Sequence, residues 1–399
     1  MEIRRIRPEE FVQRNQLWTI VYNGRHDYVQ PDPEDLLDEP AEWTWASFEK
    51  GKILSCMNEI PFLMRFDGNS VKMSGIGGVG TLPEARMGGH VRKIFEKLLP
   101  AAYENGVIFS NLNPFSHVFY RKFGYEVACA RNEIQMSTQE FLHIKMPGTF
   151  SQIFPGDDTA DLESIHNIYI SDLNHGIHRN YLPENRAWKK FARDDPYKTG
   201  NFIYLWKDES GRPKSYIKYR HEKENDKNIM LVREIAFVDK DSLYGILSLI
   251  SGLRSQYQIL KWPMPTFLDP VDFARDLWDL EQHIIPRDMS RIINVKAALE
   301  LMRRPAGEGS FVLDVVDTQI PANTGRFFIG YGPEGNHVSL TQKDPDLRCD
   351  IPVLTQLVLG YRTLETMLFS KKTGLEVAGN REILDKVFTL RPQHITEYF

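Results

Sequence analysis

The sequence predicts a mixed α+β fold in tandem, an α/β mixed sheet built twice, followed by a smaller α+β domain. Three observations predict it. From Lys72 to Tyr125 the chain reads strand, glycine- and arginine-rich loop, helix, strand and short helix. Between Gly148 and Trp262 the same order of helix, hairpin, strand, helix and strand recurs, an internal duplication. Beyond Met289 a hairpin is followed by two helical segments. The expected boundaries are 1–147, 148–287 and 288–399.

Length and composition frame this reading. A chain of 399 residues has enough core for two or three domains. Its net charge of −5, from 49 basic against 54 acidic residues with no basic block, argues against a nucleic-acid partner. Cys56, Cys129 and Cys349 are scattered, without metal spacing or a disulfide pattern. No stretch has the length of a membrane span and the N-terminus lacks a signal-peptide core, so a reducing cytoplasm is the expected location.

The first domain opens with a helical segment containing Phe11, Leu17, Ile20 and Val21, then a loop with Pro31 and Pro33. Trp43 to Phe66 alternates in polarity around Glu49-Lys50-Gly51-Lys52 and reads as a hairpin. Gly75 to Val79 is small and apolar, suiting a strand that lets another backbone or a ligand pass close. Arg86-Met87-Gly88-Gly89-His90-Val91 follows, and Val91, Ile94, Phe95, Leu98 and Leu99 then recur at helical spacing. A helix opening behind two glycines offers free N–H groups and the positive end of its dipole, which suits a pyrophosphate.

Gly75-x-Gly77-x-x-Gly80 also spells a dinucleotide-binding motif. That motif needs a helix starting at its glycines and an acidic residue about twenty positions on. Pro83 and Gly88-Gly89 interrupt such a helix, and the acid's place falls near Leu99 and Pro100.

On these residues the chain resembles the GNAT superfamily of acyl-CoA-dependent N-acetyltransferases. Arg86-x-x-Gly89-x-Val91 follows the family's pyrophosphate motif except at its last, small position. Asn113, Ser116, Phe119, Tyr120, Lys122, Gly124 and Tyr125 echo a second motif at the right separation. The resemblance implies that acetyl-CoA is the co-substrate, held by Gly78, Val79, Gly80, Arg86, Met87, Gly88, Gly89, His90, Val91, Arg92 and Asn113. It implies Tyr120 as the acid that protonates the leaving thiolate. By residue type alone Tyr120 also suits an aromatic core. The opening segment would cover the acceptor site, with His26 and Asp27 facing an amine.

The second copy departs from the pattern. Its strand-to-helix loop, Asp239-Lys240-Asp241-Ser242, has no glycine and carries two carboxylates that repel phosphate, so no CoA is expected there. The last third resembles the sterol-carrier-like domain that ends the Eis-like (enhanced intracellular survival) branch, with Gly309–Tyr331 as a hairpin, Ile351–Leu359 as an amphipathic helix and Ile383–Leu390 as another. That resemblance implies a hexamer, a primary-amine acceptor on a cationic, aminoglycoside-like small molecule, and a general base at the Phe399 carboxylate, with Glu397 nearby. A protein-lysine acetyltransferase with the same site, or a lipid or sterol carrier on a vestigial scaffold, are the alternatives.

Overall fold

The computed structural model describes residues 1–23, 33–397 and 399. Tandem mixed-sheet domains and a C-terminal α+β domain are present, organised as two compact units. Unit 1 comprises Met1–Cys129, Arg287–Arg391 and Glu397–Phe399; unit 2 comprises Ala130–Pro286 and Pro392–Thr396.

Unit 1 begins with β1 (Glu2–Arg5), α1 (Phe11–Tyr22), α2 (Pro33–Asp38), β2 (Thr44–Glu49), β3 (Lys52–Phe66) and β4 (Asn69–Thr81). Then come α3 (His90–Glu104), β5 (Phe109–Leu112) and α4 (His117–Arg121). The sheet runs β1-β2-β3-β4-β5; β4 and β5 are parallel and the other pairs antiparallel. The β4–α3–β5 crossover is what a parallel pair requires. Ile94, Phe95, Leu98, Leu99 and Ala102 fall on one face of α3 and are buried against Ile76, Leu112, Phe123 and Tyr125.

On its other side β5 pairs with residues that the sequence assigns to the last domain. Met289–Ile292 run antiparallel to Phe109–Leu112. In unit 2 the same arrangement holds in reverse: Asn132–Ser137, from the first half of the chain, pair antiparallel with Ile259–Met264. The other strands of unit 2 are Thr149–Ile153, Asn201–Lys207, Pro213–Glu224 and Lys227–Phe237. The last of these is parallel to Ile259–Met264 across the helix Lys240–Gly252. This is the topology of unit 1 again, as a duplication demands.

The C-terminal region folds as a five-stranded sheet. Its order is Gly335–Leu340, Gly325–Gly332, Gly309–Val316, Leu347–Asp350, Leu375–Val377. The expected hairpin is there, with Phe311 opposite Ile329. The helix Ile351–Val358 has the expected apolar stripe, and its polar positions Thr355 and Gln356 are buried as well. It is buried on nearly every face, because Thr355 accepts the Ile292 N–H at 3.1 Å and Gln356 donates to the Val127 carbonyl at 2.6 Å. It therefore packs on the first domain's closing strands as well as on its own sheet. The last helix is Arg381–Val387, and the helix that opens the second copy is Ala160–Tyr169.

Candidate active site

The centre of unit 1 is a defect in β4. Cys56 pairs with Gly80, but Asn58 pairs with Gly77, so Gly78 and Val79 together face the single residue Met57. This is a β-bulge, with Gly78 at φ +58°. On the other edge, parallel pairing to β5 stops at Ile76–Leu112. Past Ile76 the strand is therefore no longer paired with β5, which leaves that edge of Gly77–Gly80 outside the ladder.

The loop into α3 leaves its helix end open. Gly89 is the N-cap at φ +76° with no side-chain cap, and Met87 is also in the left-handed region at +65°. Arg86, Met87, Gly88 and Gly89 are exposed, and neither Arg86 nor Arg92 pairs with a carboxylate among the described residues. Two unpaired guanidiniums beside uncapped N–H groups fit a diphosphate. His90 is different: its ring turns inward and its Nδ1 lies 2.7 Å from the Ser47 hydroxyl, so only its backbone is available to a ligand. The corresponding helix in unit 2 is closed by its own residues. Asp239 accepts the Ser242 N–H at 2.8 Å and the Ser242 hydroxyl accepts the Asp239 N–H at 2.9 Å.

Phe399 lies against β4. Its ring packs on Phe62, with centroids 5.5 Å apart. A Cβ placed on Gly77 would sit 3.0 Å from the Phe399 carbonyl oxygen and closer still to the carboxyl carbon; one on Gly75 would meet Phe62 at 2.5 Å and Phe399 Cγ at 3.0 Å. Gly75-x-Gly77 thus makes room for Phe399, which accounts for its dinucleotide-like spelling.

Tyr120, on α4, is buried among Phe95, Phe115, Phe119 and Tyr125. Burial raises its hydroxyl above the usual phenol range, and the Tyr22 and Tyr125 hydroxyls add to this. The Tyr120 hydroxyl makes no hydrogen bond among the described residues, whereas Tyr125 is tied to Ser110 at 2.7 Å. Tyr120 thus keeps its proton at neutral pH.

Gly78, Val79, Gly80, Gly89 and Phe399 fall on β4 and the helix end that follows it, within unit 1. Asn113, just past β5, has its carboxamide oxygen 3.4 Å from Arg287 Nε. Glu397 is half-buried. His26 and Asp27 lie outside the described residues. The sequence reading passed over Phe62, Ser47 and Trp18. Trp18 is four residues from Tyr22 on α1, an i, i+4 aromatic pair that can be read from sequence.

The comparisons agree with this architecture. Residues 2–128 and 183–292 each match an acetyltransferase (GNAT) domain, and residues 295–396 match a sterol carrier protein domain. The chain therefore carries two GNAT acetyltransferase domains and a sterol carrier protein domain, and it is an acyltransferase of the GNAT type. No curated protein matches it. Among solved structures it is similar to a probable N-acyltransferase from Enterococcus faecalis, with a TM-score of 0.85, 22% identity, and 100% and 99% of the two chains covered. A GCN5-related N-acetyltransferase from Anabaena variabilis gives 0.85 at 20% identity, and Eis1 from Mycobacterium abscessus 0.82 at 17%, both over the full length of each chain. At these identities the likeness is one of fold.

Proposed function

We propose that the protein moves an acetyl group from acetyl-CoA to a primary amine on a cationic small molecule. The observation that carries this reading is the Phe399 carboxyl group against Gly77, beside the bulge of β4 and an uncapped α3. Three jobs are needed: removing a proton from an ammonium, supplying donors to the oxyanion, and protonating the departing sulfur.

In this proposal the Phe399 carboxylate takes the ammonium proton, and its charge draws a cationic acceptor. Freed backbone N–H groups of the Gly77–Gly80 bulge serve the thioester oxygen. As the amine nitrogen bonds to the acyl carbon and the C–S bond breaks, Tyr120 gives its proton to the sulfur, and the second proton shed by the nitrogen returns Tyr120 to its neutral form. Arg86, Arg92 and the N–H groups from Met87 to Arg92 hold the diphosphate. The second GNAT domain binds no CoA in this scheme, since Asp239 and Ser242 already satisfy its helix end.

The test is thiol release from acetyl-CoA by the purified protein with a panel of polyamines, aminoglycosides and lysine peptides, beside a thermal shift with CoA. A ligand at a hundredfold excess over its dissociation constant adds about 2.7 kcal/mol to the folded state. Release with small polyamines and a CoA-dependent shift are expected; neither thiol nor shift would overturn the proposal. Transfer to lysine peptides alone would overturn the choice of acceptor.

A further inference from the structure

α1 does more than cover β4. Gly78 and Val79 leave the ladder to β3 at the bulge, which takes their carbonyls out of regular pairing. Two side chains of α1 collect those carbonyls. Trp18 Nε1 donates to the Gly78 carbonyl at 2.7 Å and the Tyr22 hydroxyl donates to the Val79 carbonyl at 2.9 Å. The two donors stand one helical turn apart on one face, matching two consecutive peptide groups. α1 lies directly on the glycines here: a Cβ on Gly78 would meet the Trp18 ring at 2.5 Å, and one on Gly80 would meet Leu17 at 2.8 Å.

The indole is itself held. The buried Arg14 guanidinium stacks on Trp18 at 4.2 Å from the ring centre and pairs with Glu39 at 3.2 Å. A run of contacts thus leads from Glu39 through Arg14 and Trp18 to Gly78.

In a planar trans peptide the N–H points opposite to the C=O. Fixing the Gly78 carbonyl on α1 therefore fixes the Val79 N–H on the opposite side, and fixing the Val79 carbonyl holds the Gly80 N–H on the β3 side, where Gly80 re-enters the ladder opposite Cys56. From this geometry we infer that Trp18 and Tyr22 are positioning residues for acyl transfer: they lock the two peptide planes of the β4 bulge, and so set the direction of the Val79 N–H that meets the thioester. The inference rests on the proposed acetyl-CoA site.

The diphosphate is held elsewhere, at α3. Loosening the bulge should therefore spare CoA affinity and damage the acyl end. The experiment compares wild type, Tyr22→Phe and Trp18→Phe by three measurements: CoA dissociation constant, kcat for thiol release, and the infrared carbonyl stretch of bound acetyl-CoA carrying ¹³C in the acetyl carbonyl. Expected is a bound-state lowering of the stretch in wild type that shrinks in both variants. kcat should fall about tenfold, with CoA affinity within twofold of wild type. Both substitutions together should cost less than the product of the single losses, since they hold one bulge.

A helix that merely packs would lower the melting temperature without moving the carbonyl frequency. Unchanged frequency and kcat in Tyr22→Phe would overturn the inference while leaving the acetyl-CoA site standing. The Tyr22 side chain is half-exposed, so that variant keeps its fold even if Trp18→Phe does not. A wild-type protein that binds no CoA would remove the site itself, and the inference with it.

Discussion

Gly77→Ala probes the Phe399 berth with one methyl group. The added Cβ would lie 3.0 Å from the Phe399 oxygen and nearer to its carboxyl carbon, whereas ordinary contact begins at 3.4 Å. The carboxyl group must then retreat by more than the difference, 3.4 − 3.0 = 0.4 Å, or β4 must bend. A catalytic group tolerates about 0.5 Å of misplacement, and 1 Å costs about a hundredfold in rate. A base at Phe399 thus predicts a kcat loss of about 10- to 100-fold, with the CoA-induced thermal shift retained because α3 is untouched. Adding one glycine after Phe399 should do the same. Combining the two changes should cost little more than either, since both displace one carboxylate. Thiol release at saturating acetyl-CoA reads kcat. A Gly77→Ala protein with wild-type kcat would refute the argument and leave Phe399 as packing on Phe62.

Three other perturbations separate the parts of the site. Tyr120→Phe should lower kcat by about 10²–10⁴ with unchanged CoA affinity, while Tyr125→Phe should leave kcat alone and cost about 1 kcal/mol of stability through its lost Ser110 bond, read by denaturant unfolding. Gly89→Asp should abolish the CoA thermal shift by placing a carboxylate at the uncapped helix end; Asp241→Gly in unit 2 should leave the shift as it is. Glu126 is opposed by burial, yet hydrogen bonds from Arg121, Lys372 and its neighbour's N–H outweigh this and hold it down to about 2, against an ordinary 4.5. The folded value is depressed, so the stabilisation is present above pH 4.5 and is lost as pH falls towards 2. It amounts to about 3 kcal/mol at neutral pH, and Glu126→Gln should flatten this acid limb in pH-dependent unfolding.

The sequence carried the local features well. The hairpin around Lys50-Gly51, the helix from His90 and the helix from Lys240 are set by alternation, by 3.6-residue spacing and by end chemistry, all within a few residues of one another. The diphosphate loop was legible for the same reason. What escaped depends on contacts made by distant parts of the chain. Ile351–Val358 reads as amphipathic, but sequence cannot announce that its second face meets Val127 and Ile292. Gly75 to Val79 read as a strand that another backbone or a ligand passes close to, and nothing local says that Phe399 is what lies on Gly75 and Gly77. Tyr22 belongs to the opening segment that sequence assigns to the acceptor side, yet its bond is to the Val79 carbonyl, and nothing local marks Trp18 as the donor to Gly78.

Unit 1 closes its sheet with Met289–Ile292, and unit 2 with Asn132–Ser137. A gene cut at the boundary near residue 147 would therefore yield a fragment whose β5 lacks one of its two neighbours. Such a fragment presents a bare edge with unsatisfied N–H and C=O groups, a template for aggregation. Expressing the acetyltransferase domain alone should give inclusion bodies, whereas co-expressing it with the remainder can restore the missing strand. The same dependence constrains the duplication's history. Loss of the first copy would take Asn132–Ser137 with it and leave the second a strand short, so the second cannot be inherited without the first.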